Sequence, residues 1–329
     1  MRVSSFNWTH LIACLLVGVT AVLLSFGALV TTYEAAMAVP DWPATYGHNM
    51  FLFPLADWLH GPWDLFLEHG HRLLGAATGI VAIVLAAVAW RSETRPVVRW
   101  LAVGAIALVV LQGALGGARV LLDDKTVAKV HACTGPLFFA VAVAIATLSR
   151  SAAADAREGT ARVPVALLIA AYLQLVAGAQ LRHLDATVSP ATFRALVATH
   201  VAGACVVTLL AVVSAVACRS AGSAARGWSW LLVTAVIGQM ALGAGAWVVS
   251  WGLPSGLLPE AWRLSEPLRA RSGWSAAVVT GHVVLGMLIL GGSVVLAIES
   301  GGFGRSLAAA GGDQRRPRGD SAAGPRAFA

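Results

Sequence analysis

Apolar stretches long enough to cross about 30 Å of hydrocarbon recur eight times along the chain. They centre on residues 8–30, 73–90, 100–118, 130–149, 163–181, 195–218, 227–250 and 273–298. Such runs predict membrane-spanning helices, because a helix satisfies its own backbone polar groups where no water can. The expected fold is an all-α integral membrane protein with eight transmembrane helices. Only seven residues precede the first run, too few for a transit peptide, and no cleavage site ends it, so it is read as a retained span.

The pattern repeats. Gln112-Gly-Ala-Leu115-Gly116 in the third run matches Gln239-Met-Ala-Leu242-Gly243 in the seventh, and His131-Ala-Cys-Thr-Gly135 matches His282-Val-Val-Leu-Gly286. The first run leaves through Gly27-Ala28 toward Ala35, the fifth through Gly178-Ala179 toward Ala186. This shared order predicts two repeated four-helix bundles of like orientation. Residues 1–150 form the first half, 151–162 a cytoplasmic linker, 163–302 the second half and 303–329 a disordered tail.

Composition agrees: 58% of residues are hydrophobic and 12% charged, against about 25% charged in a soluble domain. The net charge of +7 owes much to Arg305, Arg315, Arg316, Arg318 and Arg326 in the tail, which argues against a nucleic-acid partner. Loop 31–67 carries Glu34, Asp41, Asp57 and Asp64 and no Lys or Arg, whereas 91–99, 150–162 and 219–226 carry arginines. Basic residues stay on the cytoplasmic side, so both termini are expected inside and loop 31–67 outside, in a multi-pass cytoplasmic (inner) membrane protein. Arg119, Lys125, Lys129, Arg263, Arg269 and Arg271 on the outer side temper that bias. Cys14, Cys133, Cys205 and Cys218 fall inside apolar runs, and the outer loops hold no cysteine for a structural disulfide.

The candidate chemistry lies in four histidines near the outer ends of four different runs: His71, His131, His200 and His282. A buried imidazole is costly unless it is paired or ligates a metal. Two per half, on the second and fourth helix of each, suggest His71 with His131 and His200 with His282 as axial ligand pairs for haem iron. Gly75, Gly135, Gly203 and Gly286 would let a flat macrocycle approach the backbone. Glu68 lies three residues before His71 on the same helical face, and its counterpart in the second half is Val197. An acid beside one pair alone marks the first half as the site of chemistry and the second as an electron relay. Arg72 is placed to pair with a haem propionate or to reach the surface. His10, His48, His60 and His183 are read as surface histidines, and no role is assigned to His69.

Glu68-x-x-His71-Arg72, the later lone histidines, the eight runs in two halves and Pro40-Asp41-Trp42-Pro43 resemble the haem A synthase family over about residues 10–300. That resemblance implies oxidation of a haem O ring methyl to a formyl group by successive hydroxylations, giving haem A for terminal oxidases. It implies Glu68 as the essential acid, His71 and His131 at the substrate haem, and His200 and His282 on a permanent haem b. It also implies an enzyme that supplies haem O and an electron donor that the sequence does not identify. Many bacterial members carry a cysteine pair in the first outer loop; the matching positions here are Val39 and Thr45, and an arginine common after the first span is Thr31. A two-haem membrane cytochrome b is the alternative, which needs the histidines but not Glu68. A transporter, suggested by the duplication, finds no run broken by paired Pro/Gly interruptions.

Overall fold

The computed structural model describes residues 6–150, 162–184, 187–252 and 272–301. The linker at 151–161, Ala186, Arg263, Arg269, Arg271 and the arginine-rich tail lie outside the described residues.

Eight long helices account for the eight apolar runs: α1 (Trp8–Thr32), α3 (Trp63–Ser92), α4 (Pro96–Leu122), α5 (Lys125–Ser149), α6 (Arg162–Arg182), α7 (Pro190–Ala217), α8 (Ser223–Trp251) and α9 (Gly273–Glu299). A short helix, α2 (Leu55–His60), lies in the loop between α1 and α3. Polar caps set several starts. Asn7 accepts from the His10 N–H, Asp124 from Val127, Ser189 from Thr192 and Ser272 from Ser275, each satisfying a first-turn donor. Pro96 and Pro190 occupy first-turn positions, where a missing N–H costs nothing. The protein is a multi-pass membrane protein, and large apolar side chains such as Ile80, Val110, Leu209 and Ile237 point outward where lipid would meet them.

The largest difference from the expected boundaries is at the second span. The second span begins ten residues before 73, at Trp63, so Glu68-His69-Gly70-His71-Arg72 sits inside the helix rather than opening it. Hydropathy misses this stretch because its polar groups find protein partners instead of water.

Helices α1, α3, α4 and α5 pack in a closed ring, as do α6, α7, α8 and α9. The rings meet where α5 and α1 contact α9 and α5 contacts α6. Helix α9 is apolar on every side and the most enclosed of the eight, as such a sequence requires. Its Gly291 and Gly292 admit Phe139 of α5 and Leu232 of α8 so closely that an added Cβ would lie 2.9 and 3.0 Å from them.

The helix ends on the side of the N-terminus are tied by polar contacts. Asn7 donates to the Ser149 carbonyl at 2.7 Å, and the Thr9 and Ser92 hydroxyls lie 3.0 Å apart. Arg95 pairs with Glu93 at 2.6 Å, and Arg150 pairs with Glu299 across the two rings. Hydrogen bonds from Arg95, opposed by burial, hold the Glu93 carboxyl below the usual glutamate range.

Candidate functional site

Each of the four histidines rests on a glycine of the preceding long helix. A Cβ added to Gly27 would lie 3.0 Å from His71 Cε1, and one on Gly116 would lie 3.3 Å from His131 Cε1. The distances are 3.1 Å for Gly178 under His200 and 3.0 Å for Gly243 under His282. Four residues before three of these glycines stands a glutamine, and that spacing puts the pair on one helical face. Gln174 Nε2 donates to the His200 carbonyl at 2.8 Å and lies 3.1 Å from its Nδ1. Gln239 Nε2 donates to the His282 carbonyl at 2.9 Å, and Gln112 bonds Thr134, three residues beyond His131. The fourth unit has Leu23 there, and its carbonyl lies 3.3 Å from His71 Nδ1.

The rings come together in two pairs. His71 and His131 have centroids 6.5 Å apart and nearly perpendicular planes; His200 and His282 are 6.3 Å apart at 75°. A metal–imidazole bond is about 2.0–2.1 Å, which puts two rings on one metal with centroids about 6.3 Å apart. Both pairs have that separation. No group of three or more His, Cys, Asp or Glu side chains suited to a bare metal ion occurs among the described residues. Two imidazoles per iron suit a macrocycle that supplies the remaining ligands. The Nδ1 atoms of His131 and His282 are buried without a hydrogen-bond partner among the described residues. A single cavity of about 1590 Å³ reaches all four rings and is mostly apolar. These features fit two haem groups.

Of the glycines expected beside a porphyrin, Gly75 is open. Gly203 and Gly286 instead make room for the amides of Gln174 and Gln239, and Gly135 for Leu24 and Gln112.

Glu68 and Arg72 both line the cavity and are 2% and 8% exposed. Glu68 Oε2 accepts from the Val39 N–H at 2.9 Å, and Oε1 pairs with Arg72 at 2.8 Å. Arg72 donates as well to the carbonyls of Val39, Asp41 and Ala44 at 2.6–2.8 Å. All four of its terminal N–H groups are thus taken, so a propionate would have to displace an existing partner. Val197, the counterpart of Glu68, also lines the cavity.

The loop between α1 and α3 closes over the first pair. Trp42 lies so flat on Gly117 that a Cβ there would approach it to 2.5 Å, and Trp42, Pro43 and Met50 line the cavity. Thr45 Oγ1 and Nδ1 of buried His69 lie 3.0 Å apart in a hydrogen bond, so Val39 and Thr45 are both held to α3 by hydrogen bonds. Burial raises the Asp41 carboxyl, but N–H groups of Gly47 and Tyr46 and the nearby Arg72 hold it below the usual aspartate value.

His183 is not a surface residue. It is half-buried on the cavity wall, where burial and then Arg182, Arg119 and Lys129 push its pKa down to about 4. His48 and His60 are exposed, and His10 Nδ1 bonds the Ala146 carbonyl at 3.0 Å. Cys14 and Cys205 face outward, and Cys218 caps the inner end of α7 rather than lying within it. The recurring Gln-x-x-x-Gly is legible in the sequence at all three sites, Gln174-Gly178 included. Nothing local distinguishes Arg119, Arg182, His69 or His183.

The family model for the cytochrome oxidase assembly protein COX15-CtaA matches residues 8–204, well over half of the chain. The chain belongs to this family. The matched segment carries Glu68, His71, His131 and His200. Among similar proteins are those named "Heme A synthase" from Shouchella clausii, 29% identical over 54% of this chain and 59% of the relative, and Symbiobacterium thermophilum, 31% over 52% and 58%. That from Geobacillus kaustophilus is 28% identical over 50% and 52%. The chain thus matches between half and three fifths of the length of these relatives.

Proposed function

We propose that this protein is a haem A synthase, which oxidises a ring methyl of haem O to the formyl group of haem A. The observation that carries the reading is two histidine pairs with the separation of bis-imidazole ligation and, among the described residues, an acid beside only one. In this reading the first half (1–150) takes substrate haem O between His71 and His131, and the second (163–302) keeps haem b between His200 and His282. Bound haem b supplies one-electron transfer. The protein's own residues position and shield. The glycines and Gln174, Gln239 and Gln112 fix the histidine-bearing segments, while Trp42, Pro43 and Met50 exclude water from the first site. Each hydroxylation of the methyl group needs dioxygen as oxidant with two electrons and two protons, one oxygen atom entering the C–H bond and the other leaving as water. The positive charge that builds at the methyl carbon is one the Glu68 carboxylate is placed to offset. Arginines at the 91–99, 150–162 and 219–226 connections support cytoplasmic termini in the inner membrane. The partners of this activity are the enzyme that makes haem O and an electron donor.

Extraction of pigment from the purified protein tests the proposal. Haem B together with haem O or haem A is the expected content; a colourless protein would overturn it, and haem B alone would favour the two-haem cytochrome b.

A further inference from the structure

Among the described residues, two arginines on the cavity wall have no anion within ion-pair distance. Arg119 stands in the last turn of α4, three residues after the glycine under His131, and Arg182 ends α6, four residues after the glycine under His200. Both line the cavity at its outer rim. Their hydrogen bonds go to neutral acceptors: Arg119 to the Ala36 carbonyl at 3.2 Å, and Arg182 to the Ala28 carbonyl at 2.5 Å and Thr32 Oγ1 at 2.8 Å. No carboxylate lies within 4 Å of either among the described residues. Glu68, the acid whose charge reaches Arg119, is already engaged by Arg72 and Val39. A guanidinium in an apolar cavity without a counter-charge is costly. Each keeps several of its five donors for a ligand, in the planar fork that suits a carboxylate.

We propose that Arg119 and Arg182 are the carboxylate anchors of the two porphyrin sites, Arg119 serving the His71–His131 pair and Arg182 the His200–His282 pair. This rests on the porphyrin reading above and extends it. Arg72, expected to meet either a propionate or the surface, already bonds Glu68 and the carbonyls of Val39, Asp41 and Ala44. Both anchors stand in the last turns of their helices, α4 and α6, so both porphyrin sites would take their carboxylates at that same end of the helices.

The test uses full-length protein made under haem limitation and titrated with iron protoporphyrin IX and with its dimethyl ester, which lacks both carboxylate charges. The unaltered protein should bind the free acid at least about tenfold more tightly, the worth of one charge-assisted hydrogen bond. Arg182→Gln in a His71→Ala background, which leaves only the second site, should lose that preference, and Arg182→Lys should keep part of it. Arg119→Gln in a His200→Ala background should lose it at the first site. Equal affinities in the unaltered protein would overturn the anchors while leaving porphyrin binding intact. Equal weakening of both ligands in Arg182→Gln, with the preference preserved, would reduce Arg182 to a tie between α6 and α1 and overturn its role. Binding of neither porphyrin would overturn the underlying reading and the anchors with it.

Discussion

Glu68 holds two positions at once, on the cavity wall beside His71 and under the outer loop through Val39 and Arg72. Glu68→Gln keeps an acceptor for the Val39 N–H but leaves Arg72 without its anion, at a cost of about 1–3 kcal/mol of stability. The variant should retain haem O and stall before haem A, and chromatography of extracted haems reads this; haem A at the unaltered rate would remove the role of Glu68. Thermal unfolding in detergent reads the stability loss separately. The shared face of Glu68, His71 and Arg72 was legible from their spacing. Their backbone partners about 30 residues upstream were not, because loop closure brings them together and no local pattern encodes it. His183 was misread for the same reason. Its folded pKa of about 4 lies below its ordinary 6.5, so the unfolded chain takes up the proton first. Stability present above pH 6.5 should therefore fall as pH drops toward 4. His183→Gln should flatten the difference in Tm between pH 7 and pH 5, and an unchanged difference would show that other groups govern it.

At the scale of the helix, a glycine under each ring is the recurring device. Gly243→Ala puts a methyl group 3.0 Å from His282 Cε1, and Gly178→Ala puts one 3.1 Å from His200 Cε1. Each should shift or abolish the low-spin spectrum of the second-half haem. Gly104→Ala in α4, where nothing lies within 4 Å, should leave it intact and add up to about 1 kcal/mol of helix stability. A normal spectrum in Gly243→Ala would mean that the ring has room to move and is not held by that contact. The eight spans were legible because uncharged runs of bilayer length have few other uses. The true start of α3 was hidden because Asp64, Glu68, His69, His71 and Arg72 interrupt its hydropathy, and packing rather than composition accommodates them. The glycines one turn after the histidines were singled out from the sequence, but three of the four accommodate glutamine or leucine side chains rather than lying open.

Across the whole molecule, two rings of four helices place one histidine pair in each half of a shared cavity, and among the described residues only the first pair has an acid beside it. All four cysteines lie on or beside helices, and the outer loop between α1 and α3 has none. A membrane-impermeant maleimide applied from the outer side should therefore leave activity unchanged; rapid inactivation would contradict the proposed orientation. The division of labour between the halves is tested most directly by the haem content of four single variants, measured by chromatography of extracted pigment. His71→Ala and His131→Ala should stop formation of haem A and retain haem B, while His200→Ala and His282→Ala should lose haem B. The same haem pattern in all four variants would contradict separate substrate and relay sites.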